Sequence, residues 1–363
     1  MSDLEITRYR DQILDAAQNK RKIRITGSGS KDWYGGVLQG EPLSTRDHSG
    51  VINYQPDELV ITVKAGTPLS EVEATLADKN QQFAFDPPYF GPNATIGGMV
   101  CAGLAGPGRI SAGSLRDFVL GAKIMDGKGQ ILNFGGTVMK NVAGYDIARL
   151  MPGSLGTLAL LLEVSIKVLP KPAANATVRV PLEQQAAINL MNLLASQPWP
   201  INASAWVDHT LYLRLCGAKA AVKNAIESFD SQRGMKVVEQ TTADEFWKSL
   251  REQTHPWFDQ ASQTNLWRLS LPTTSPRFDT SDDTLIEWHG GQRWIKGAND
   301  VATLKSMALA KQGHASLFRG NNKAPQMLSS LSDNPLTQGL VVVQQRLREA
   351  FDPLGVFATE RLI

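Results

Sequence analysis

The sequence is poor in reactive and anchoring chemistry. Its two cysteines, Cys101 and Cys216, stand outside any Cys motif. That excludes a disulfide framework, and also a four-thiolate zinc or iron–sulfur site built by this chain alone. Both thiols read as small buried hydrophobes. The five histidines, His48, His209, His255, His289 and His314, are far apart, and no pair has metal-ligand spacing. Neither sign of charge dominates: 37 Lys and Arg against 35 Asp and Glu leave a formal charge of +2. Nothing there argues for nucleic acid or an anionic membrane as partner. Long hydrophobic runs are missing as well. The most apolar stretch, Leu155–Leu162, is soon followed by Glu163 and Lys167, far short of the roughly 20 residues a spanning helix needs. Residues 1–20 are polar, without the apolar core of a secretory signal. A soluble, cytoplasmic chain with no direct membrane insertion is expected.

What is present is ordinary globular material: 363 residues, 42% apolar and 20% charged, enough for two or three domains. Ile6, Ile13, Leu14 and Ala17 recur near helical spacing. "KIRIT" and "ELVITVKAG" alternate as strands, and Thr67 followed by Pro68 reads as an N-cap and first helical position. "FVLGAKIMDGKGQILNF" reads as strand–turn–strand, and "GTLALLLEVSIKVLP" as a buried strand that turns amphipathic. Pro170 and Pro172 then punctuate the chain, and a domain boundary is placed there. Beyond it, strand, helix, two strands and helix are followed by a similar order running to "HASLF". Two β-α-β-β-like halves facing each other are expected, in an α/β second domain. The expected division is 1–172, 173–335 and a C-terminal helix and tail, 336–363, with 321–335 a surface loop.

Glycine is the exception to this plainness. "GSGS" (Gly27–Ser30) follows a strand, and "TIGGMVCAGLAGPG" lies about seventy residues on. Backbone amides in such turns can form an anion-binding nest. Asp47 lies about twenty residues past Gly27, as a ribose partner would in a Rossmann motif. However, "KDWYGGVLQGEP" has no helical stripe to follow the loop, and no P-loop pattern is present. Two separate glycine loops instead suggest a long ligand clamped from both sides, such as a dinucleotide with a central pyrophosphate.

The order of motifs resembles a known family. "GSGS", "ELVITVKAGTPLSEVEATL", "PPYFGPNATIGGMVCAGLAG", "RDFVLGAKIMDGKGQIL" with "FGG", "PGSLGTLALLLEVSIKVLP" and "FDPLGVF" are similar to the FAD-binding fold of the vanillyl-alcohol oxidase (PCMH) type. Within it, "RDFVLG", "VMKNVAGYDIARLMPGS" and "HASLFRG" are most like the FAD-binding subunits of bacterial glycolate oxidases. The resemblance implies an α+β chain: a two-lobed FAD-binding domain, a smaller cap domain with ferredoxin-like halves, and a tail returning to the FAD domain. It implies that amides of Gly27, Ser28, Gly29 and Ser30 form one wall of a pyrophosphate site, and Thr95, Ile96, Gly97 and Gly98 the other. Gly103 to Ser114, Gly113 included, would run beside the flavin, and the backbone of Leu160 and Leu161 would line the adenine side. No His or Cys stands near the first loop, so the FAD is expected to be noncovalent. Ala112–Gly113 replaces a frequent Y-G, and "SLGTLA" and "GVFATERL" depart from the family pattern at the adenine pocket and the tail.

Oxidising a 2-hydroxy acid takes a base for the hydroxyl proton, a cation for the carboxylate and a hydride acceptor. The metal motif H-x-G-D-G-N-x-H of catalytic relatives is missing. His314, opening the strand "HASLF", is the candidate to face the flavin; Arg293, with Arg268 and Lys296, is a candidate carboxylate grip. Two readings stay open. In one, the chain is a subunit of a glycolate oxidase complex, partnered by a catalytic flavoprotein subunit and an iron–sulfur subunit, and peripheral to the inner face of the membrane through them. In the other, it is a self-sufficient FAD-dependent dehydrogenase of a small 2-hydroxy acid such as D-lactate. A scaffold without flavin is disfavoured by the intact glycine loops.

Overall fold

The structure is a computed structural model, and it describes residues 2–137, 146–259, 265–278, 283–297, 301–320, 335–358 and 361. The first half of "VMKNVAGYDIARLMPGS" and all but Pro335 of the expected surface loop lie outside the described residues.

Tyr9, Ile13 and Ala16 share one face of helix α1 (Ser2–Gln18) and are buried, as helical spacing requires. Strand β1 (Ile23–Thr26) pairs in parallel with β2 (Glu41–Ser44). Then come β3 (Val51–Gln55), β4 (Val60–Lys64), helix α2 (Leu69–Ala77) and short β5 (Gln81–Gln82). Helix α2 starts one residue later than expected, with Pro68 as its cap. The Thr67 hydroxyl instead donates to the Lys64 carbonyl and accepts from Gly50 N–H. Three short helices follow: α3 (Ile96–Ala102), α4 (Arg109–Ala112) and α5 (Leu115–Phe118). Strands β6 (Val119–Met125), β7 (Ile131–Gly135), β8 (Leu160–Lys167) and β9 (Leu169–Pro170) complete this half. The order β3-β4-β8-β6-β7 forms an antiparallel sheet. α2 and α3 pack on it through Leu69, Val72, Leu76, Ile96, Met99 and Val100.

After Pro172, β10 (Ala174–Pro181), α6 (Gln184–Ala195), β11 (Ile201–Val207), β12 (Thr210–Gly217), α7 (Lys219–Arg233) and β13 (Lys236–Val238) form one ferredoxin-like half. Helices α8 (Gln240–Glu252) and α9 (Pro256–Asp259) lead to the second: β14 (Leu266–Ser270), β15 (Thr284–Glu287), β16 (Gln292–Lys296), α10 (Val301–Ala310) and β17 (His314–Arg319). The halves join edge to edge through β11 and β15 in the order β13-β10-β12-β11-β15-β16-β14-β17, so each repeats one strand order and the repeats run in opposite senses. Helix α11 (Pro335–Phe351) leads back to the beginning of the chain. There Ile23 N–H donates to the Val356 carbonyl, Ala358 N–H to Ile23, and Phe357 is buried against Tyr9 and Leu43.

One apolar cluster joins the two halves: Ala102, Leu104 and Leu155 from the first meet Trp247, Leu250, Trp294 and Phe318 from the second. Polar ties surround it. Glu252 accepts from the amides of Tyr89 (3.1 Å) and Phe90 (2.8 Å), Arg214 pairs with Asp86 at 2.5 Å, and Trp288 Nε1 donates to the Gly106 carbonyl. The charge-assisted bonds among them, those of Glu252 and Arg214, contribute about 1.5–3 kcal/mol each. The cleft described next therefore has walls held in register.

Candidate cofactor-binding cleft

Strand β1 ends in Thr26, and the chain turns through Gly27–Ser30 with Gly29 at φ 78°, a conformation that favours glycine. Asp32 N–H closes the turn onto the Gly29 carbonyl, and Ser30 N–H reaches Ser28 Oγ at 3.4 Å. The amides of Gly27, Ser28 and Gly29 make no hydrogen bond to any described residue. Such half-buried donors want an acceptor.

The second loop is built differently. Ile96 N–H donates to the Thr67 carbonyl, Gly97 N–H to Ala65 at 2.7 Å, and Gly98 N–H to Thr95 Oγ1 at 3.2 Å. The amides of Ile96, Gly97 and Gly98 are engaged, so of the two expected amide walls the first has the donors to offer and the second contributes mainly shape. A Cβ on Gly97 would lie 2.9 Å from the Ala65 carbonyl, and one on Gly27 would lie 2.3 Å from Thr95 Oγ1. Gly27 lets the first loop touch Thr95 of the second, and Gly97 lets the second close onto the end of β4.

Between these walls lies a cleft lined by Gly27–Asp32, Gly97, Gly98, Leu161 and Arg361 among others. Through Ala102, Leu155 and Arg361 it continues into a second hollow, which Tyr34, Gly103, Arg268 and His314 line. The trench is cationic at its turn. Arg361 Nη2 donates to the carbonyls of Lys31 (2.8 Å) and Tyr34 (2.6 Å), while its buried Nε has no partner among the described residues. Lys31 donates to the Tyr89 carbonyl, and burial pushes its ammonium down to about 8, partly opposed by Glu252. Arg268 Nη2 reaches Tyr34 Oη at 3.3 Å, and its Nε is also buried without a partner among the described residues. Cys101 lines the cleft, and burial raises its thiol.

His314 does line the cavity, and desolvation with the nearby Arg268 guanidinium lowers its imidazole below the ordinary value. Arg293 is a correction. It sits between Gln292 and Trp294 on β16, so strand alternation turns it to the opposite face of the sheet. There it is fully buried and donates to the carbonyls of Ser275, Pro276 and Gly290. Arg268, across from Trp294 in the ladder, is on the cleft side. Leu161 lines the cleft, whereas Leu160 is buried in the core beside Tyr9 and Ile13. Thr95 and Ile96 stand behind the lining. Gly113 and Ser114 lie at the α4–α5 junction, where Asp117 accepts from Ser114 N–H and Oγ, and line neither cavity. Lys296 is tied to Trp257 and Asp283. His209 is exposed in a turn, and His255 Nδ1 accepts from Trp257 N–H.

Arg361 and Lys31 carried no motif signal, and Arg361 arrives from a tail 330 residues away from the loop it touches. Leu155, where the tract departs from its pattern, lies at φ 51°, packed toward Gly35. The residues present fit FAD: free amides and unpaired guanidinium nitrogens for a pyrophosphate and a polar ring edge, and apolar walls for the rest.

Comparison with known proteins agrees. The chain carries an FAD binding domain, matched over residues 10–135, and is an FAD-linked oxidoreductase fold. It is 40% identical, over 97% of its length and 95% of the relative's, to glycolate oxidase subunit GlcE of Escherichia coli strain K12. The chain belongs to that family. It is also 30% identical over half its length to a D-lactate dehydrogenase of Anaerostipes hadrus, of which it spans 37%, and 30% identical over 41% to glycolate oxidase subunit GlcD of Bacillus subtilis, of which it spans 32%. A solved alkyldihydroxyacetonephosphate synthase shares the fold, with a TM-score of 0.64 at 14% identity over 96% of this chain and 73% of the other. Among the described residues no helix is long and apolar enough to cross a membrane.

Proposed function

We propose that this chain is the FAD-holding subunit of a multi-subunit glycolate oxidase, which converts glycolate to glyoxylate and passes electrons on through a partner iron–sulfur subunit. A second, catalytic flavoprotein subunit completes the complex, and these partners place it at the inner face of the membrane. The observation that carries the reading is the trench: unpaired amides and Arg361 at one end, apolar walls in the middle, and Arg268 with His314 at the other. Residues 1–172 form the FAD domain, 173–335 the cap, and 336–363 the segment that returns to the first.

Within this reading Gly27, Ser28 and Gly29 bind the pyrophosphate through their amides, with Arg361 beside them. Leu161 and Ala65 flank the adenine end. Leu104, Leu155 and Leu317 exclude water from the ring, and Arg268 sets positive charge beside it. His314, whose imidazole desolvation and the Arg268 guanidinium lower below its ordinary value, holds or moves a proton at its ring nitrogens. FAD, when bound, supplies the two-electron acceptor. The test is purification of the chain alone and with its partners. Alone, it should carry FAD that acid precipitation releases in full, and glycolate should be oxidised at the full rate only by the complex. Full turnover by the isolated chain, or a chain free of flavin after gentle purification, would overturn the reading.

A further inference from the structure

The first glycine loop is held from outside its own sheet. Past Thr26 at the end of β1, residues 27–36 form no strand. Lys31 and Asp32 line the cleft, and Tyr34, Gly35 and Gly36 line the second hollow. Trp33, between them, lines neither. Its indole Nε1 turns back and donates to the Ser30 carbonyl at 3.0 Å, which fastens the end of the loop. Its ring packs into the apolar cluster between the halves. There Phe318 of the cap meets it edge-on at 5.2 Å between centroids, and Phe90 of the first half at 5.0 Å.

Arg319, the last residue of β17, completes the grip. Its guanidinium carbon stands 3.8 Å from the centroid of the Trp33 ring and 5.3 Å from that of Phe90. Nε donates to Gln253 Oε1 at 3.0 Å, and Gln253 ends α8 with a left-handed φ of 55°. Among the described residues Arg319 has no carboxylate within ion-pair distance, and burial pulls it down to about 10. A guanidinium without a counter-charge is costly to bury, and stacking a desolvated cation on tryptophan offsets part of that cost. Arg319 itself lines neither the cleft nor the second hollow. Glu252, just before Gln253, accepts from the amides of Tyr89 and Phe90, and Lys31 donates to the Tyr89 carbonyl. The end of α8 thus reaches the loop by two routes.

We propose that Arg319 is a positioning residue for the cofactor: from the edge of the cap sheet it holds Trp33, and Trp33 orients the amides of Gly27–Gly29 toward a pyrophosphate. Arg319 acts through Trp33 and touches no reacting group. The inference rests on the flavin-subunit reading, and it gives a use to the end of "HASLFRG", which the trench itself leaves idle. Cap seating and cofactor binding become reciprocal. Whatever the seated cap adds to FAD affinity, bound FAD adds to the seating of the cap. Stacking on the ring asks for a planar guanidinium, which lysine does not supply.

The test is titration of the flavin-stripped full chain with FAD, followed by fluorescence, and with ADP, followed by calorimetry. Arg319→Met and Trp33→Phe should each weaken FAD about tenfold, and the double variant should lose no more than the weaker-binding single one. Arg319→Lys, which keeps the charge, should lose nearly as much as Arg319→Met. Leu269→Ala, in the core on the opposite face of the cap sheet, should lower the melting temperature of the flavin-free chain and leave FAD affinity unchanged. Hydrogen exchange gives the reciprocal readout: FAD should slow exchange in β17 of the wild type, and less so in Trp33→Phe. Circular dichroism checks that the variants fold. Wild-type affinity in Arg319→Met or Arg319→Lys, additive losses in the double variant, or an equal loss in Leu269→Ala would overturn the proposal and leave the flavin reading standing. A wild type that binds ADP but no FAD would sink the flavin reading, and a loss of ADP of about tenfold in Arg319→Met would still support the positioning role. A wild type that binds neither would overturn both.

Discussion

The two glycine loops of the cleft look alike as strings and do opposite work. Gly27–Ser30 keeps three amides free of any partner among the described residues, whereas in Thr95–Gly98 the amides of Ile96, Gly97 and Gly98 are held by Thr67, Ala65 and Thr95. One loop has donors to offer a ligand; the other is a close-packed surface that lets the donors stand where they are. Glycine serves conformation in the first, at Gly29, and proximity in the second, at Gly97. Glycine content alone therefore does not locate an anion site.

Substitutions separate the two roles. Gly97→Val has the largest expected effect, because its side chain would drive into the Ala65 carbonyl at the end of β4. It should cost about 3 kcal/mol and remove FAD together with stability, as thermal melting of the flavin-free protein would reveal. Arg361→Met should weaken FAD binding about tenfold or more, since it removes charged donors, with a smaller change in the melting of the flavin-free chain. Gly29→Ala comes next. The left-handed backbone costs about 1–2 kcal/mol, and the loss should appear in FAD affinity by fluorescence titration. Equal stability losses for Gly97→Val and Gly29→Ala would erase the distinction drawn between the loops.

Lys31, in the first wall, gives a pH test. Its ammonium is lowered to about 8 by burial, and a nearby pyrophosphate would favour the protonated form. The loaded protein then keeps this proton to higher pH than the empty one. FAD affinity should be level below about pH 8 and fall above it, and Lys31→Met should flatten that fall. A slope unchanged in the variant would remove Lys31 from the cofactor site. His314→Ala should have the smallest effect on binding, leaving flavin content as it is, because His314 stands in the far cavity; loss of flavin would move the ring position.

Much of the fold was legible. Alternation marked β1 and β4, and helical spacing marked α1, because these patterns are local. The two opposed ferredoxin-like halves followed from the repeated order of strands and helices after Pro172. The choice between Arg293 and Arg268 was not legible. Both lie on strands, and which one faces the cleft depends on the parity of a ladder between β14 and β16. Thr67 was misplaced as a cap because its hydroxyl found Lys64 and Gly50 instead. The contact of Arg319 with Trp33 gave no sign at all, since the two meet only where the cap packs on the first half.

The sequence alone determined the class of cofactor and the layout of the chain. Glycine placement and apolar periodicity are properties of neighbours in sequence, and six motifs in order leave few folds to choose from. Tertiary structure alone decided which amides remain free, which arginine reaches the cleft, and that Arg361 closes it from the tail. Each of those depends on what a group meets from a distant part of the chain: the Ala65 carbonyl for Gly97, the Ser275 and Pro276 carbonyls for Arg293, and the Lys31 and Tyr34 carbonyls for Arg361.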